Sequence, residues 1–455
     1  MTSELLPVAT HKNVVCPGCA CVCDDVQLTI QSGTNSTGAK LIDFQPSCDR
    51  GADWFRMNLE SEDALCRHQG ATSSYDDAIT AAVEILDRSD APLIYGLSRS
   101  ATAAQRVAVE LAERLGGVID STASLCHGPS IMAIQEVGEV TSSLGEIRHR
   151  ADLVIFWGCN PADSHPRHSE RYSVQPKGQF VPERRAGRKI VMVGDEALLN
   201  AASIDNAGTE PDLKIVLPAG GDLDALRYLQ TALEGTLLPN TPEPLLQLVD
   251  LMKDCKYGVV FFGLELAETR MAVGRPNSGI EHLSVTAMLE LVAKLNEFTR
   301  FTARRMRLQG DVSGADNVLT WQSGYPFAID YSREYPRYSP GEYSASDLLE
   351  RGDVDSCFLI GAETAHRFST AAKRHLESIP TIVLDYSAAN QCFEPTVFLP
   401  SAVYGLHTEG VIYRMDNIPL VARRMVESSL PSDEQTLKRI LEACRFDSAA
   451  CHYHG

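Results

Sequence analysis

The sequence predicts an α/β protein, in which a small N-terminal metal-binding domain precedes two doubly wound, Rossmann-like domains with parallel sheets. Three features support this prediction: a group of cysteines near the N-terminus, uninterrupted apolar runs that end in glycine, and segments of helical periodicity between those runs. Alternation of strands and helices is typical of parallel sheets with helices on both faces. A chain of 455 residues has room for roughly two to four domains.

The first predicted domain, residues 1–70, contains four cysteines spaced Cys-x2-Cys-x3-Cys-x24-Cys, at Cys16, Cys19, Cys23 and Cys48. The chain has 13 cysteines, an odd number, and no evident signal peptide, which favours metal binding over a disulfide framework. A three-plus-one arrangement favours a [4Fe-4S] cluster. A structural zinc site, which usually pairs two Cys-x2-Cys turns or includes histidines, is the alternative.

Four apolar runs share one design, because each is continuous, lacks polar alternation and closes with glycine. They are Leu93–Gly96, Val154–Gly158, Val259–Gly263 and Phe358–Gly361. Such runs are typical of strands covered on both faces, and parallel sheets bind ligands at the carboxyl ends of their strands. We therefore expect the four following loops to face a shared cleft.

The remaining elements follow from periodicity and turn residues. Further strands are predicted at Val26–Ile30 and Leu41–Phe44, which form a hairpin, and at Lys189–Val193, Leu213–Leu217 and Thr381–Asp385. Helices are predicted at Thr102–Gly117, at Leu283–Leu295 and after Pro431, whereas the Gly-, Pro- and Tyr-rich segment Gly310–Glu342 is predicted to be a long ordered loop. The domains after the first are predicted to be 71–135 with 336–430 (the cofactor cleft), 136–335 (the second α/β domain) and 431–455 (a C-terminal helix and tail).

The charge of the chain restricts its partners. There are 41 Lys and Arg against 60 Asp and Glu, a net charge of −19. Nucleic acids and anionic membranes are polyanions, so we expect neither as a partner. No apolar run approaches the ~20 residues of a transmembrane helix, and the predicted location is cytoplasmic.

Cys126 and His127 lie between a predicted strand and a Gly-Pro pair that exposes a loop. A thiolate there is suited to binding a metal, or to acting as a nucleophile with His127. The alternative is a cysteine that serves only as a small buried hydrophobe. Arg307, which leads directly into the Gly/Tyr-rich segment, is a candidate for binding an anionic substrate.

A second candidate site follows the strand that ends at Gly158. Glycine followed by Asn160 and Pro161 is suited to presenting backbone N–H groups to phosphates, and an ordinary surface turn is the alternative. Positive or polar groups are added by His165, Arg167 and His168. The predicted cofactor-binding set is completed by Gly361 and Glu363, which follow the last Gly-ended strand.

Taken together, these residues resemble the B subunit of formylmethanofuran dehydrogenase, within the molybdopterin oxidoreductase family. The matching segments are Cys16–Asp25, Cys126–Ser130, Trp157–His168, Asn317–Pro326, Tyr335–Glu342 and His407–Gly410. The resemblance implies a fold of the molybdopterin oxidoreductase type and a bis-molybdopterin guanine dinucleotide cofactor holding tungsten or molybdenum. It implies that Cys126 ligates that metal, that His127 and Arg307 contact carbon dioxide or formate, and that the N-terminal cysteines hold a [4Fe-4S] cluster.

The resemblance also implies a multi-subunit enzyme. The half-reaction would interconvert carbon dioxide and formate, and an A-type subunit would transfer the one-carbon unit to or from methanofuran. C-type and D-type subunits would be further partners, and the D-type subunit would complete the cofactor site.

One departure from the family pattern supports an alternative function. Related proteins carry Asp-x-Arg-x-Thr after a strand to hold a guanosine, whereas this chain reads Val193-Gly-Asp-Glu-Ala197 and Glu196 would repel a pyrophosphate. The departure puts the pterin in doubt. It favours a non-redox scaffold subunit of the bacterial formyltransferase/hydrolase complex, which releases formate from formyl-tetrahydromethanopterin. A third possibility is a zinc-stabilised binding protein.

Overall fold

The fold is described by a computed structural model over most of the chain. The described residues are 7–33, 38–59, 65–268, 282–307, 310–386 and 392–445. The predicted C-terminal tail, from residue 446, lies outside them.

The elements alternate along the chain as the sequence predicts. The strands are β1 (Val8–Val14), β2 (Val26–Gln31), β3 (Lys40–Gln45), β4 (Arg67–His68), β5 (Ala71–Thr72), β6 (Pro92–Gly96), β7 (Val118–Ser121), β8 (Leu153–Trp157), β9 (Lys189–Asp195), β10 (Leu213–Leu217), β11 (Tyr257–Phe262), β12 (Arg300–Arg305), β13 (Ile329–Asp330), β14 (Arg337–Tyr338), β15 (Ser356–Ile360), β16 (Thr381–Asp385), β17 (Val397–Pro400), β18 (Gly410–Tyr413) and β19 (Pro419–Ala422). The α-helices are α1 (Asp49–Leu59), α2 (Tyr75–Asp87), α3 (Thr102–Leu115), α4 (Gly128–Val137), α5 (Leu144–Arg150), α6 (Pro161–Ser164), α7 (Glu196–Ala201), α8 (Asp222–Leu233), α9 (Glu243–Asp254), α10 (Leu264–Glu268), α11 (Leu283–Leu295), α12 (Val312–Ser323), α13 (Ala345–Arg351), α14 (Thr370–Leu376) and α15 (Asp433–Ala443). Short 3-10 turns cover Thr122–Leu125, Arg184–Gly187 and Glu363–Arg367, and a π-helical turn covers Ser169–Ser173.

The N-terminal segment forms a three-stranded antiparallel sheet in the order β1-β2-β3, followed by α1. The predicted hairpin is confirmed, since β2 pairs antiparallel with β3. Alternate residues of β2 are buried, as a strand with one covered face requires: Val26, Leu28 and Ile30. These side chains share one core with Phe156 and Phe261 of the next sheet, so the small sheet packs on its face.

The second sheet has five parallel strands in the order β10-β9-β8-β11-β12. Its other face is covered by α8, α9 and α11. Chain order runs outward from β8 on one side and from β11 on the other, so the winding reverses between these two strands. Such a reversal opens a crevice at the carboxyl ends of the strands.

The third sheet has nine strands in the order β14-β13-β7-β6-β15-β16-β17-β4-β5. Its five central strands, β7 to β17 in that order, are parallel, and antiparallel pairs close both edges. Helices cover both faces, with α2, α3, α12 and α15 on one and α13 and α14 on the other. The winding of this sheet reverses between β6 and β15.

The two parallel sheets are interleaved in the sequence, as expected. The nine-stranded sheet takes strands from 67–121 and 329–400, and the five-stranded sheet takes strands from 153–305. The predicted α/β class with parallel sheets is thereby confirmed, while the predicted domain boundaries stay a prediction. In the part of the chain that the structure covers, no helix is both long and apolar enough to cross a membrane.

Glycine is required where the winding of each sheet reverses. Gly96 ends β6 with φ +122° and lies against the carbonyl oxygen of Ile360, with which any Cβ would collide. Gly263, directly after β11, lies equally close to the carbonyl of Gly158. The adjacent strand ends can approach each other only because neither glycine carries a side chain.

The prediction of a long loop over Gly310–Glu342 is wrong for its first half, which forms α12. Asp311 starts the helix, because its carboxylate accepts the backbone N–H of Gly314 at 3.0 Å. Apolar Ala315, Val318 and Leu319 are fully buried in the core shared with α3. Tertiary burial therefore outweighs the weak helix propensity of this Gly-, Ser- and Asp-containing segment.

The reversal in the five-stranded sheet can be tested with Gly263→Ala. The new methyl group must displace the backbone of Gly158, so we expect a destabilisation of about 2–4 kcal/mol, measured as a lower melting temperature. Gly145→Ala is the matched control, because this helical glycine has only Ser143 Oγ near a new Cβ, at 3.7 Å. The control should melt at or above the wild-type temperature. Equal melting temperatures for the two variants would show that the strand ends are not in tight contact.

Candidate functional site

A cavity of about 730 Å³ lies at the carboxyl ends of both parallel sheets, against the N-terminal domain. The loops after β6, β11, β12 and β15 contribute to its wall through Ser98, Leu264, Arg307 and Thr364, and α1 contributes Trp54. The prediction of one shared cleft is confirmed for the loops of three of the four Gly-ended strands. It is wrong for the fourth, β8, whose loop lies at a neighbouring cavity.

The three predicted catalytic residues all line this cavity. Cys126 ends the 3-10 turn after β7, and its Sγ lies 2.9 Å from Nδ1 of His127. His127 directly precedes α4 and is only 3% exposed. Arg307 lies two residues beyond the end of β12. Residues that are far apart in sequence are therefore assembled by strand ends and the start of a helix.

A buried carboxylate that the sequence analysis did not identify joins these residues. Oδ2 of Asp316, on α12, lies 2.8 Å from Nε2 of His127 and 3.4 Å from Nη1 of Arg307. Its Oδ1 accepts a hydrogen bond from Ser121 Oγ at 3.4 Å. The result is a continuous chain of contacts from Cys126 through His127 and Asp316 to Arg307.

Burial dominates the titration of these groups. It raises the pKa of the Cys126 thiol to about 12, with a further contribution from the charge of Asp316. It lowers the pKa of His127 to about 4, helped by the positive charge of Arg307, and it lowers the pKa of Arg307 to about 10. At neutral pH the protein alone therefore presents a thiol, a neutral imidazole and a guanidinium, and a stable Cys126 thiolate requires an added cation.

The end of β12 carries an excess of positive charge. Arg304, Arg305 and Arg307 lie there together, and each is largely buried. The carboxylates paired with them are Glu139, 3.7 Å from Arg305, and Asp316. Asp416 also attracts Arg304, but it is itself paired with Arg414. The guanidinium groups therefore still outnumber the carboxylates by one, which favours an anionic occupant of the cavity.

The four predicted cluster ligands line a second, small cavity next to the first, together with Gly51 and Arg167. A Cβ at Gly51 would lie 3.2 Å from Sγ of Cys16 and would collide with the ring of Phe44, so the space beside this sulfur requires glycine. Gly18 contributes to the walls of both cavities. No group of three or more His, Cys, Asp or Glu suited to a single metal ion is found among the described residues.

The thiols of this small cavity are influenced mainly by burial and by one another. Burial raises the pKa values of Cys16, Cys48 and Cys23, the last to about 11, and charge on neighbouring sulfurs raises them further. Cys19 is the exception, because a hydrogen bond with the thiol of Cys21 lowers its pKa. Four soft sulfur donors that repel one another when ionised are suited to a cationic iron centre, which would offset the repulsion.

An ion-pair network fastens the cysteine-bearing loop to the segment between α6 and β9. Both oxygens of Asp25 accept hydrogen bonds from the guanidinium of Arg167 at 2.8 Å, and Arg171 donates to Asp24 at 2.6 Å. The side chain of Arg167 is only 4% exposed and also pairs with Glu170. Arg167 thus lies at the cysteine cavity, outside the lining of the large one.

The predicted phosphate-binding turn lies at a third cavity of about 690 Å³, lined by Asn160 and by residues of α1. The Asn160 side chain donates to the carbonyl of Ala201 at 3.3 Å and accepts the N–H of Ser203 at 3.1 Å. Pro161 begins α6, and Gly158 has φ +60°. The amide of Asn160 is therefore engaged in holding the 201–203 loop.

The two predicted histidines of this turn are internal. His165 contacts the carbonyl of Arg307 through Nε2 at 2.5 Å and Ser164 Oγ through Nδ1 at 2.8 Å. His168 is fully buried, and its ring lies edge-on to Phe261 at 4.5 Å. His165 fixes the backbone at Arg307, whereas His168 packs in the core. A role for either in binding a cofactor stays a prediction.

The remaining predicted cofactor-binding residues, Gly361 and Glu363, lie next to the wall of the large cavity. Gly361 follows β15 with φ +80°, and Glu363 begins the 3-10 turn that places Thr364, His366 and Arg367 in the cavity wall. The Glu363 side chain lies outside what the structure describes.

The departure from the Asp-x-Arg-x-Thr pattern has a local structural role. The carboxylate of Asp195 accepts the N–H of Leu198 at 2.8 Å and caps α7, and Glu196 is exposed in the first turn of that helix. The chain therefore passes from β9 directly into a capped helix, and the residues at this junction are acidic.

Comparison with known proteins identifies related subunits. No family model matches the chain. The B subunit of tungsten-containing formylmethanofuran dehydrogenase 2 from Methanocaldococcus jannaschii is 33% identical over 452 residues, covering 96% of this chain and 98% of that protein. The B subunit of the enzyme with the same name from Methanococcus maripaludis is 31% identical, covering 95% and 98%. The B subunit of the formyltransferase/hydrolase complex Fhc from Methylorubrum extorquens is 24% identical over 309 residues, covering 66% and 75%.

A solved structure supports the fold. A chain in the crystal structure of the formyltransferase/hydrolase complex FhcABCD from Methylorubrum extorquens, in complex with methylofuran, superposes with a TM-score of 0.67 at 19% identity. The match covers 83% of this chain and 98% of that one. Because a relative at 33% identity is matched over nearly the whole of both proteins, the chain belongs to the family of formylmethanofuran dehydrogenase B subunits.

Proposed function

We propose that this chain is the redox-active B-type subunit of a formylmethanofuran dehydrogenase, interconverting carbon dioxide and formate. The observation that carries the proposal is the adjacency of two sulfur sites. Cys126, His127 and Arg307 line one cavity, four cysteines line the next, and Gly18 belongs to both walls. Adjacent centres favour electron transfer between them.

The donor sets fit the groups that the proposal requires. Cys126 would ligate tungsten or molybdenum held by a bis-molybdopterin guanine dinucleotide, and its high pKa is consistent with a thiolate that forms only beside a metal. Cys16, Cys19, Cys23 and Cys48 would hold a [4Fe-4S] cluster. The metal–pterin supplies two-electron redox chemistry when bound, and the cluster supplies one-electron transfer. Two relatives have "tungsten-containing" in their names, which supports a metal of this pair.

The protein's own residues would bind and orient the one-carbon acid. Arg307 offers a buried guanidinium to a carboxylate. The positive charge of the neighbouring arginines adds to its attraction for this anion. His127, neutral at physiological pH, can accept or share a proton beside Cys126. Burial of both side chains excludes water from their contacts with a small substrate.

The partners follow from the relatives. Those proteins are named as subunits of a dehydrogenase or of a formyltransferase/hydrolase complex. We place this chain in an assembly with A-, C- and D-type subunits, in which the A-type subunit exchanges the one-carbon unit with a methanofuran-type carrier.

A second candidate function is the non-redox scaffold of a formyltransferase/hydrolase complex. The acidic, helix-capping end of β9 favours it, because Glu196 would repel a bound pyrophosphate. In that case formate release would be hydrolytic and independent of Cys126.

Cys126→Ser tests the proposed metal ligand. A serine hydroxyl is a poor replacement for a soft thiolate, so we expect viologen-dependent formate oxidation by the complex to fall below about 1% of wild type. Iron content should be unchanged, because the N-terminal cysteines are intact. Cys255→Ser is the control, since the Cys255 thiol donates to the carbonyl of Met252 and lies outside the cavity linings. Full activity of the Cys126→Ser complex would exclude this residue from the reaction.

Cys19→Ser and Cys21→Ser compare a proposed cluster ligand with a cysteine of the same loop that is not one of the four proposed ligands. Cys19 lines the small cavity and Cys21 does not, although both are buried in the same loop. We expect Cys19→Ser to lose the cluster, measured as a loss of most of the bound iron and of the reduced-state paramagnetic signal. Cys21→Ser should keep both. Zinc in place of iron in the wild-type protein would contradict the cluster assignment for all four ligands.

A further inference from the structure

We propose that Asp316 is a positioning residue of the formate site, which holds the ring of His127 in place and partly offsets the positive charge of Arg307. The inference rests on the proposed function and adds a residue to it. Asp316 is 7% exposed and contacts both side chains through the same oxygen, Oδ2. It lines neither the large cavity nor the cysteine cavity itself.

The hold on His127 follows from the geometry of the contact. Oδ2 of Asp316 lies 2.8 Å from Nε2, at one edge of the imidazole ring. Nδ1, at the other edge, lies 2.9 Å from Sγ of Cys126. Asp316 therefore fixes the orientation in which the ring of His127 faces the Cys126 end of the site.

The charge balance follows from the second contact. Asp316 is 3.4 Å from Nη1 of Arg307, and the same Nη1 donates to the neutral hydroxyl of Ser313. The carboxylate therefore reduces the attraction that Arg307 exerts on an anion in the cavity. Its removal should strengthen anion binding and, at the same time, release the ring of His127. Loss of a residue with only a structural role would not lower kcat and raise the affinity for an anion at the same time.

The test uses the assembled complex carrying Asp316→Asn. We expect kcat for formate oxidation to fall at least tenfold, while KM for formate is unchanged or lower.

Azide, a small linear monovalent anion, serves as a binding probe that needs no turnover. Its dissociation constant should fall several-fold by calorimetric titration.

Asp311→Asn is the matched control. Asp311 is an even more deeply buried carboxylate at the start of α12, and burial raises its pKa well above the usual range, so an amide resembles its protonated form. It accepts backbone N–H groups of Gly314 and Tyr413, away from His127 and Arg307. We expect kcat, KM and azide affinity of the Asp311→Asn complex to lie within about twofold of wild type, even if this variant melts at a lower temperature.

Several outcomes would overturn the proposal. Wild-type kcat with wild-type azide affinity in Asp316→Asn would exclude both roles, and parallel losses in Asp316→Asn and Asp311→Asn would indicate a structural effect only.

If Asp316→Asn fails to assemble, Asp316→Glu replaces it. The charge is then kept and the carboxylate is displaced, so kcat should fall while azide affinity stays at the wild-type value. Unchanged kcat in that variant would reject the positioning role. A wild-type complex without formate activity would reject the proposed function, and the azide measurements would still decide the charge role of Asp316.

Discussion

The arrangement of loops around the large cavity depends on one constraint. This constraint is the close approach of strand ends where each parallel sheet reverses its winding. Gly96 lies against Ile360 in the nine-stranded sheet, and Gly263 lies against Gly158 in the five-stranded sheet. A side chain at either glycine would force the strands apart and displace the loops that follow them. Those loops carry the residues of the large cavity, so the geometry of the candidate site is set by backbone packing before any functional side chain is considered.

Burial of charge gives the site its chemical character. Arg307 and Asp316 are enclosed together with neutral His127, and a buried charge is tolerated only when it is paired. The excess of guanidinium groups at the end of β12 leaves the cavity suited to an anion, in a chain whose overall charge is −19. Burial, in contrast, favours the protonated form of the Cys126 and Cys23 thiols, so a metal would have to replace their protons. These features support the proposed binding of a small carboxylate next to a metal-bound sulfur.

Much of the fold could be predicted from periodicity, and the site could be predicted only in part. The apolar, Gly-ended runs identified the central strands because buried parallel strands have no polar alternation. The spacing of Cys16, Cys19 and Cys23 indicated a common cavity since a short loop brings such residues together. Asp316 could not be found in this way, because it is 189 residues from His127 and meets it only through packing of α12. The loop predicted over α12 was wrong for the same reason, since tertiary burial decides the structure of that segment.

The most direct test of the redox function is metal analysis of the anaerobically purified wild-type complex, together with an electron paramagnetic resonance spectrum after reduction. We predict iron plus tungsten or molybdenum, and a signal from a reduced iron–sulfur cluster. A complex that contains neither iron nor tungsten or molybdenum, and that still releases formate from its one-carbon carrier, would contradict the redox function.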